Sequence, residues 1–235
     1  MLALFPFILL ASFFGKITGG NVIYKICTLW ADLAILCWGI RHKNYFKEEY
    51  DFSKPAIYVF NHISFVDIPI LLKTFRHINI RILGKAEMTK IPVFGYIYKS
   101  AAVTVDRSSA ANRARSVQVL TSVLKKNISI VLAPEGTFNT THLPLKEFYD
   151  GAFKIALETN TVIRPLILLD TYDRLNYRSV FSLTPGKSRT IFLEEIPVNN
   201  FTIDDVQLLK KLVYHKMEEA IINANATWIN KDLNA

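Results

Sequence analysis

Ala56-Ile57-Tyr58-Val59-Phe60-Asn61-His62-Ile63-Ser64-Phe65-Val66-Asp67-Ile68-Pro69-Ile70-Leu71-Leu72-Lys73-Thr74-Phe75 runs from one apolar segment, through a polar turn, into a second. The first segment, AIYVF, is too short for a helix and rich in β-formers, so it reads as a buried strand. Asp67 stands where a helix N-cap belongs, ahead of Ile68–Phe75, and Pro69 is tolerated in the first turn. A strand apolar throughout, followed at once by a helix, is the unit of a parallel sheet covered on both faces.

The alternation repeats outward. Ile78–Leu83, Ala102–Asp106 and Ile128–Leu132 read as strands, and Val162–Leu169 as a longer one. Between them fall short helical turns over 86–99 broken around Pro92 and Gly95, and a helix over Ser108–Lys126 whose outer face carries Arg113, Arg115, Lys125 and Lys126. A further helix covers 150–158. Residues 41–55 read as a polar connector, 179–184 and 188–194 as an antiparallel pair turned by Pro185-Gly186, and Ile203–Trp228 as one amphipathic helix. The expected fold is α/β, a mixed and largely parallel sheet flanked by helices. Residues 61–67, 106–107 and 134–137 each follow a strand directly, so three polar loops converge on one rim.

An apolar excess precedes this domain. Residues 1–14 carry no charge, and 22–40 carry only Lys25 and Asp32. As helices these runs measure roughly 21 and 28 Å against a hydrocarbon core of roughly 30 Å, and the second would bury a Lys–Asp pair. With Gly15, Gly19 and Gly20 as a turn, residues 1–40 read as an N-terminal apolar helical hairpin docked in one leaflet, ahead of a second domain over 41–235. A single span at 22–40, a core-packed helix pair and a cleaved signal peptide are the alternatives. The last lacks a basic start. Arg41, Lys43 and Lys47 favour a cytoplasmic position for the remaining chain.

At 235 residues, 51% hydrophobic and 20% charged, with mean hydropathy +0.22, the chain is neither disordered nor collagen-like nor a disulfide scaffold. A net charge of +8 points to an anionic partner. The basic residues are scattered and no nucleic-acid motif occurs, so a lipid surface or phosphorylated substrate is favoured over nucleic acid. Cys27 and Cys37 lack ligand spacing and read as small buried apolar residues, and no metal site is expected. Four N-x-S/T matches, at Asn127, Asn139, Asn200 and Asn225, are taken as chance.

His62 and Asp67 can fold toward each other, the carboxylate accepting from one ring N–H and leaving the other nitrogen basic. Such a pair, without a protein nucleophile of its own, suits deprotonation of an incoming hydroxyl. The plainer reading is an N-capping Asp67 beside a satisfied loop histidine. In Pro134-Glu135-Gly136-Thr137, Gly136 permits close backbone approach or a positive φ and Thr137 offers donors to an anion, while Glu135 either holds a substrate hydroxyl or braces the loop. Arg107, at a strand end, is placed to clamp a phosphate or to pair with Asp106. Lys85 is a similar candidate. Arg164 either faces the site or ends its strand.

The order Asn61-His62-x-x-x-x-Asp67, Gly84-Lys85, Ile91-Pro92-x-x-Gly95, Val105-Asp106-Arg107-Ser108, Pro134-Glu135-Gly136-Thr137 resembles the lysophospholipid/glycerophosphate acyltransferase family over about residues 55–170. It looks most like the bacterial 1-acylglycerol-3-phosphate acyltransferases, whose membrane-docking helix pair the N-terminal hairpin also resembles. The resemblance implies His62 as general base on the acceptor hydroxyl, Asp67 as its orienting partner, and direct attack on an acyl-carrier-protein or acyl-CoA thioester. Asn61, Lys85, Arg107, Glu135, Gly136 and Thr137 would then bind the lysophospholipid acceptor. No cofactor or metal is implied, and the place of action would be the cytoplasmic face of a bacterial inner membrane. One departure stands out. The family usually follows Glu-Gly-Thr with Arg, and here Phe138 stands there, with Lys146 near enough in sequence to substitute. A lyso-amino-acid-lipid O-acyltransferase and a non-catalytic lipid-binding protein are the competing readings.

Overall fold

The computed structural model describes residues 4–85, 89–91, 94–105 and 110–229. Seven strands form one sheet: β1 (Ile40–Phe46), β2 (Ile57–Phe60), β3 (Ile80–Lys85), β4 (Ala102–Val105), β5 (Ser129–Leu132), β6 (Ile163–Leu169) and β7 (Gly186–Phe192), in the order β1-β7-β6-β2-β5-β3-β4. From β6 to β4 every pairing is parallel; β7 runs antiparallel to β6 and carries β1 parallel to itself. The helices are α1 (Phe5–Ser12), α2 (Gly20–Cys37), α3 (Asp67–Thr74), α4 (Phe94–Ala101), α5 (Ala110–Leu124), α6 (Gly151–Thr159), α7 (Thr171–Arg174) and α8 (Val206–Asn223).

Alternation along β2 explains why all four of its residues are buried. Ile57 and Val59 pack with Leu120 of α5, Phe153 of α6 and Leu209 of α8. Tyr58 and Phe60 point to the other face, into a core with Ile8 of α1, Ile23 of α2, Ile70 of α3 and Ile97 of α4. The expected α/β architecture, a largely parallel sheet between two helical layers, is present.

Two expectations fail at the sheet's polar edge. Residues 41–55 are not all connector, because Ile40–Phe46 is the edge strand β1, whose outer positions face solvent and therefore read as polar. Residues 179–184 form no strand: Val180 and Phe181 are exposed, the latter by 93%. β7 begins at Gly186 and takes its antiparallel partner from β6. The C-terminal segment is also less regular than expected. A 3₁₀ turn at Ile203–Asp205, closed by a Thr202–Asp205 capping box, leads into α8, which stops at Asn223.

The apolar N-terminus folds back on itself through a π-helical turn at Gly15–Gly19. A Cβ at Gly19 would lie 2.2 Å from the Ala11 carbonyl oxygen, so only glycine lets α1 and α2 approach this closely. Helix α2 buries Ile23, Tyr24, Cys27, Ala31 and Ile35 and leaves Val22, Leu29, Leu33 and Leu36 exposed. Lys25 and Asp32 do not pair. Lys25 is exposed, and Asp32 accepts Lys73 of α3 at 2.8 Å and Arg76 at 3.1 Å. Cys37, expected to be buried, is exposed, because it falls on the outward side at the helix end.

Candidate active site

Parallel strands β6, β2 and β5 are neighbours, so the segments leaving their carboxyl ends meet at one rim. β2 is the strand at which helices of both layers diverge, and it delivers His62. The expected Asp67 N-cap is corrected: Val66 is the N-cap and Asp67 the first helical residue. Its carboxylate turns back over the loop, where Oδ2 accepts His62 Nδ1–H at 2.8 Å, Ile63 N–H at 2.8 Å and Ser64 N–H at 2.9 Å. Asp67 is fully buried at the positive end of α3, a favourable place for an anion. Donation from Nδ1 fixes the tautomer and leaves the Nε2 lone pair available. The His62 side chain keeps 22% of its surface exposed.

The remaining loops lace this turn in place. Asn61 is buried; its Nδ2–H₂ donates to the Leu168 carbonyl at 3.2 Å and its Oδ1 accepts Leu168 N–H at 2.7 Å. It extends the β2–β6 ladder past the last strand residue, so it positions His62 instead of contacting an acceptor, as the resemblance implied. Ser64, fully buried, donates its hydroxyl to the Leu175 carbonyl and accepts Val66 N–H.

Glu135 is corrected in the same way. Of the two roles open to it, the geometry matches the brace: with no exposed surface, Oε1 accepts His62 N–H at 3.1 Å and Oε2 accepts Lys146 N–H at 3.2 Å. Gly136 adopts φ +70° and closes a turn onto the Ala133 carbonyl, the positive φ expected of it. Thr137 is exposed and its Oγ1 accepts Lys146 Nζ–H at 2.8 Å. Asn139, missed as a site residue, donates its backbone N–H to the His62 carbonyl at 2.7 Å. Its Oδ1 accepts both the N–H and the hydroxyl of Thr141, so this N-x-T match is a buried Asx turn.

Phe138 lies beside the imidazole, ring centroids 4.3 Å apart at 55°. Phe65 at 5.1 Å and Tyr177 at 6.5 Å extend the aromatic wall. Single aromatic residues in three separate loops carry no sequence periodicity, so only the fold could assemble them. Arg164 is far from this rim. It is the second residue of β6, opposite Tyr58, and its guanidinium donates to Glu195, the Tyr58 hydroxyl and the Asp51 carbonyl. Lys85 closes β3, a neighbour of β5, which places its backbone at the same end of the sheet; Arg107 lies outside the described residues.

Burial pushes the Glu135 carboxyl from its ordinary 4.5 up to about 8, against the two amide donors; the Asp67 charge also raises it. Between those values the native protein holds a proton that the unfolded chain has released. Stability therefore falls as pH rises through that window, and the contribution is lost above it. Relative to Glu135→Gln, which has no such proton, wild type should lose on the order of a few kcal/mol between pH 5 and pH 8. Denaturant melts in detergent at several pH values measure this, and parallel curves for the two proteins would contradict it.

His62 and Asp67 form a hydrogen-bonded pair at a partly open rim, an arrangement able to activate a hydroxyl, and among the described residues no Ser, Thr or Cys side chain hydrogen-bonds the His62 ring. Comparison with known proteins identifies relatives of the chain. A 1-acyl-sn-glycerol-3-phosphate acyltransferase of Cocos nucifera is 36% identical over 121 residues, covering 50% of this chain and 38% of the relative. Its counterpart in Limnanthes douglasii is 28% identical over 208 residues, covering 87% and 68%. The crystal structure of the 1-acyl-sn-glycerophosphate (LPA) acyltransferase, PlsC, from Thermotoga maritima superposes with a TM-score of 0.69 at 22% identity over 96% of this chain and 90% of that one, the same fold. The family model described as Acyltransferase matches residues 40–169, from the first residue of β1 to the last of β6. Spanning over half of the chain and the whole His62–Asp67 apparatus, that match makes this protein a member of the acyltransferase family.

Proposed function

We propose that the protein transfers a fatty acyl chain from an acyl-carrier-protein or acyl-CoA thioester to the free hydroxyl of 1-acylglycerol-3-phosphate, giving phosphatidic acid. The observation that carries this reading is the 2.8 Å bond from His62 Nδ1–H to the buried Asp67. His62 Nε2 takes the acceptor's hydroxyl proton while its oxygen attacks the thioester carbonyl. The new C–O ester bond forms as the C–S bond breaks, and the imidazolium returns the proton to the leaving thiolate. Asp67 stabilises the imidazolium and keeps the ring in register. Glu135, Asn61 and Asn139 hold the loop that carries the base.

The relatives' names supply the phosphate-bearing acceptor. Phe138 favours a second reading, a lyso-amino-acid lipid as acceptor, since an aromatic ring cannot pair with phosphate. An acceptor panel decides between them. Purified protein, given both thioester donors, is expected to turn over 1-acylglycerol-3-phosphate faster than a lyso-amino-acid lipid, and the reverse order would establish the second reading. Tight lipid binding without thioester consumption would instead support a non-catalytic lipid binder.

The reaction belongs at a membrane surface. Phe7, Leu10, Phe13, Phe14, Leu29, Leu33 and Leu36 are all more than half exposed, on a hairpin whose inward side is already packed on α3 and α4. Ile17–Cys37 is long and apolar enough to cross a membrane, but with its inner face occupied it fits a helix lying in one leaflet. Because β1 follows α2 directly and pairs from Ile40 with Gly186, the end of this helix reaches the rim that carries His62. Arg41, Lys43 and Lys47 follow it, which favours the cytoplasmic face. The double variant Phe13→Ser/Leu36→Ser should weaken partitioning onto phosphatidylglycerol-containing vesicles about tenfold or more, as loss of two buried apolar side chains demands. Co-sedimentation measures it, and wild-type partitioning by the variant would rule out this face.

A further inference from the structure

We infer that Lys146 is a cation that receives the acceptor's anionic head group in this chain. The inference deepens the proposed function and rests on it for the identity of the acceptor, though not for the anion site itself.

The residue after Thr137 supplies a ring, not a charge, and that ring is packed against His62. Lys146 is tied to the loop that carries this ring by bonds of its own. Its backbone N–H is held by Glu135 Oε2, and the other oxygen of that buried carboxylate holds the backbone of His62. One rigid group thus sets the spacing between the base and the start of the lysine side chain. The side chain then folds back, so that Nζ donates to Thr137 Oγ1, beside Phe138. The ammonium and the imidazole are therefore joined through two adjacent residues, one touching each.

Its environment distinguishes this lysine from its neighbours. Lys73 is matched by Asp32, Lys210 by Asp150 and Lys216 by Glu194, each a carboxylate. Among the described residues no carboxylate pairs with Lys146; its ammonium is held by a hydroxyl, which orients it without neutralising it. Having accepted one proton, the Thr137 hydroxyl still has its own to donate. The pair therefore presents an ammonium and an O–H donor to one anion, a pattern suited to phosphate oxygens. In 1-acylglycerol-3-phosphate the reacting hydroxyl and the phosphate sit on adjacent carbons, so a cation for the phosphate has to belong to the loops that hold the base, and Lys146 is bonded to them. Because an ammonium is a point charge without a guanidinium's planar fork, recognition depends on charge more than on geometry.

The test compares wild type, Lys146→Met and Lys146→Arg on two acceptors that differ only in the anion, 1-acylglycerol-3-phosphate and monoacylglycerol. Lys146→Met should reduce kcat/KM for the phosphorylated acceptor about tenfold more than for monoacylglycerol, mainly through KM, and Lys146→Arg should restore most of the preference. A purely structural role would lower both acceptors alike, and that result, or an unchanged ratio, would overturn the inference. Calorimetric binding of glycerol 3-phosphate decides the same point without turnover: affinity should fall about tenfold in Lys146→Met. If wild type acylates neither acceptor but this binding loss is seen, the acyltransfer reading fails and the anion site stands. Acylation with an unchanged preference leaves the reading intact and removes Lys146 from it.

Discussion

His62→Ala should abolish acyl transfer while leaving the fold and membrane partitioning as they are. The ring is partly exposed at the rim, and its backbone N–H and carbonyl, not its side chain, carry the bonds to Glu135 and Asn139. Truncation therefore removes the proposed base and its one bond to Asp67 while the backbone ties of the loop stay in place. A positioned general base contributes 10²- to 10⁴-fold, and a neutral lipid hydroxyl with no base beside it is a poor nucleophile, so a loss of at least about 10³-fold is expected. Thiol release from an acyl thioester in the presence of lysolipid measures it, with circular dichroism and vesicle co-sedimentation as controls. Turnover within tenfold of wild type would remove His62 from the role of base.

Changes at Asp67 should act on two levels, and two substitutions separate them. Oδ2 satisfies two buried backbone amides in addition to the imidazole. Asp67→Ala orphans both, at about 1–3 kcal/mol each, so a drop in Tm of roughly 5–15 °C accompanies the loss of activity. Asp67→Asn keeps the volume and an acceptor oxygen for the amides but lacks the charge that steadies an imidazolium. It should melt within a few degrees of wild type and still lose about 10²- to 10⁴-fold in kcat. If the Asn variant keeps its activity, Asp67 is only a loop brace. If both variants lose activity in proportion to their melting, the carboxylate has no electrostatic part in the reaction.

The central strands were legible in the sequence because burial on both faces leaves unbroken apolar runs: AIYVF became β2 and Val162–Leu169 became β6, within a residue of the expected limits. The edge was illegible for the complementary reason. β1, Ile-Arg-His-Lys-Asn-Tyr-Phe, is bonded on one side only and keeps alternate residues in water, so its composition resembles a connector. Val180 and Phe181 misled in the opposite sense. They are apolar yet exposed, at the end of the sheet where β7 starts.

The same logic runs through the site. The His62–Asp67 contact could be read from local spacing, since both residues belong to one turn. The role of Asn61 could not, and for Glu135 the sequence left a substrate contact and a loop brace equally open, because each acts on backbone atoms of a strand or loop far away in the chain. Nothing in Pro134-Glu135-Gly136-Thr137 says that its carboxylate faces inward to Lys146. Phe138 was legible only as a departure from a pattern; that its ring lies on the imidazole needed three dimensions.

Whether the lipid hydroxyl attacks the thioester itself is settled by incubating purified protein with an acyl thioester, with and without 1-acylglycerol-3-phosphate, and recording thiol release, diacyl product and the intact mass of the protein together. Direct attack by a His62-activated hydroxyl predicts thiol release only when the acceptor is present, one diacyl lipid per thiol, and no acyl group added to the protein. Thiol release without acceptor, accompanied by an acylated protein mass, would contradict this mechanism by revealing a protein nucleophile.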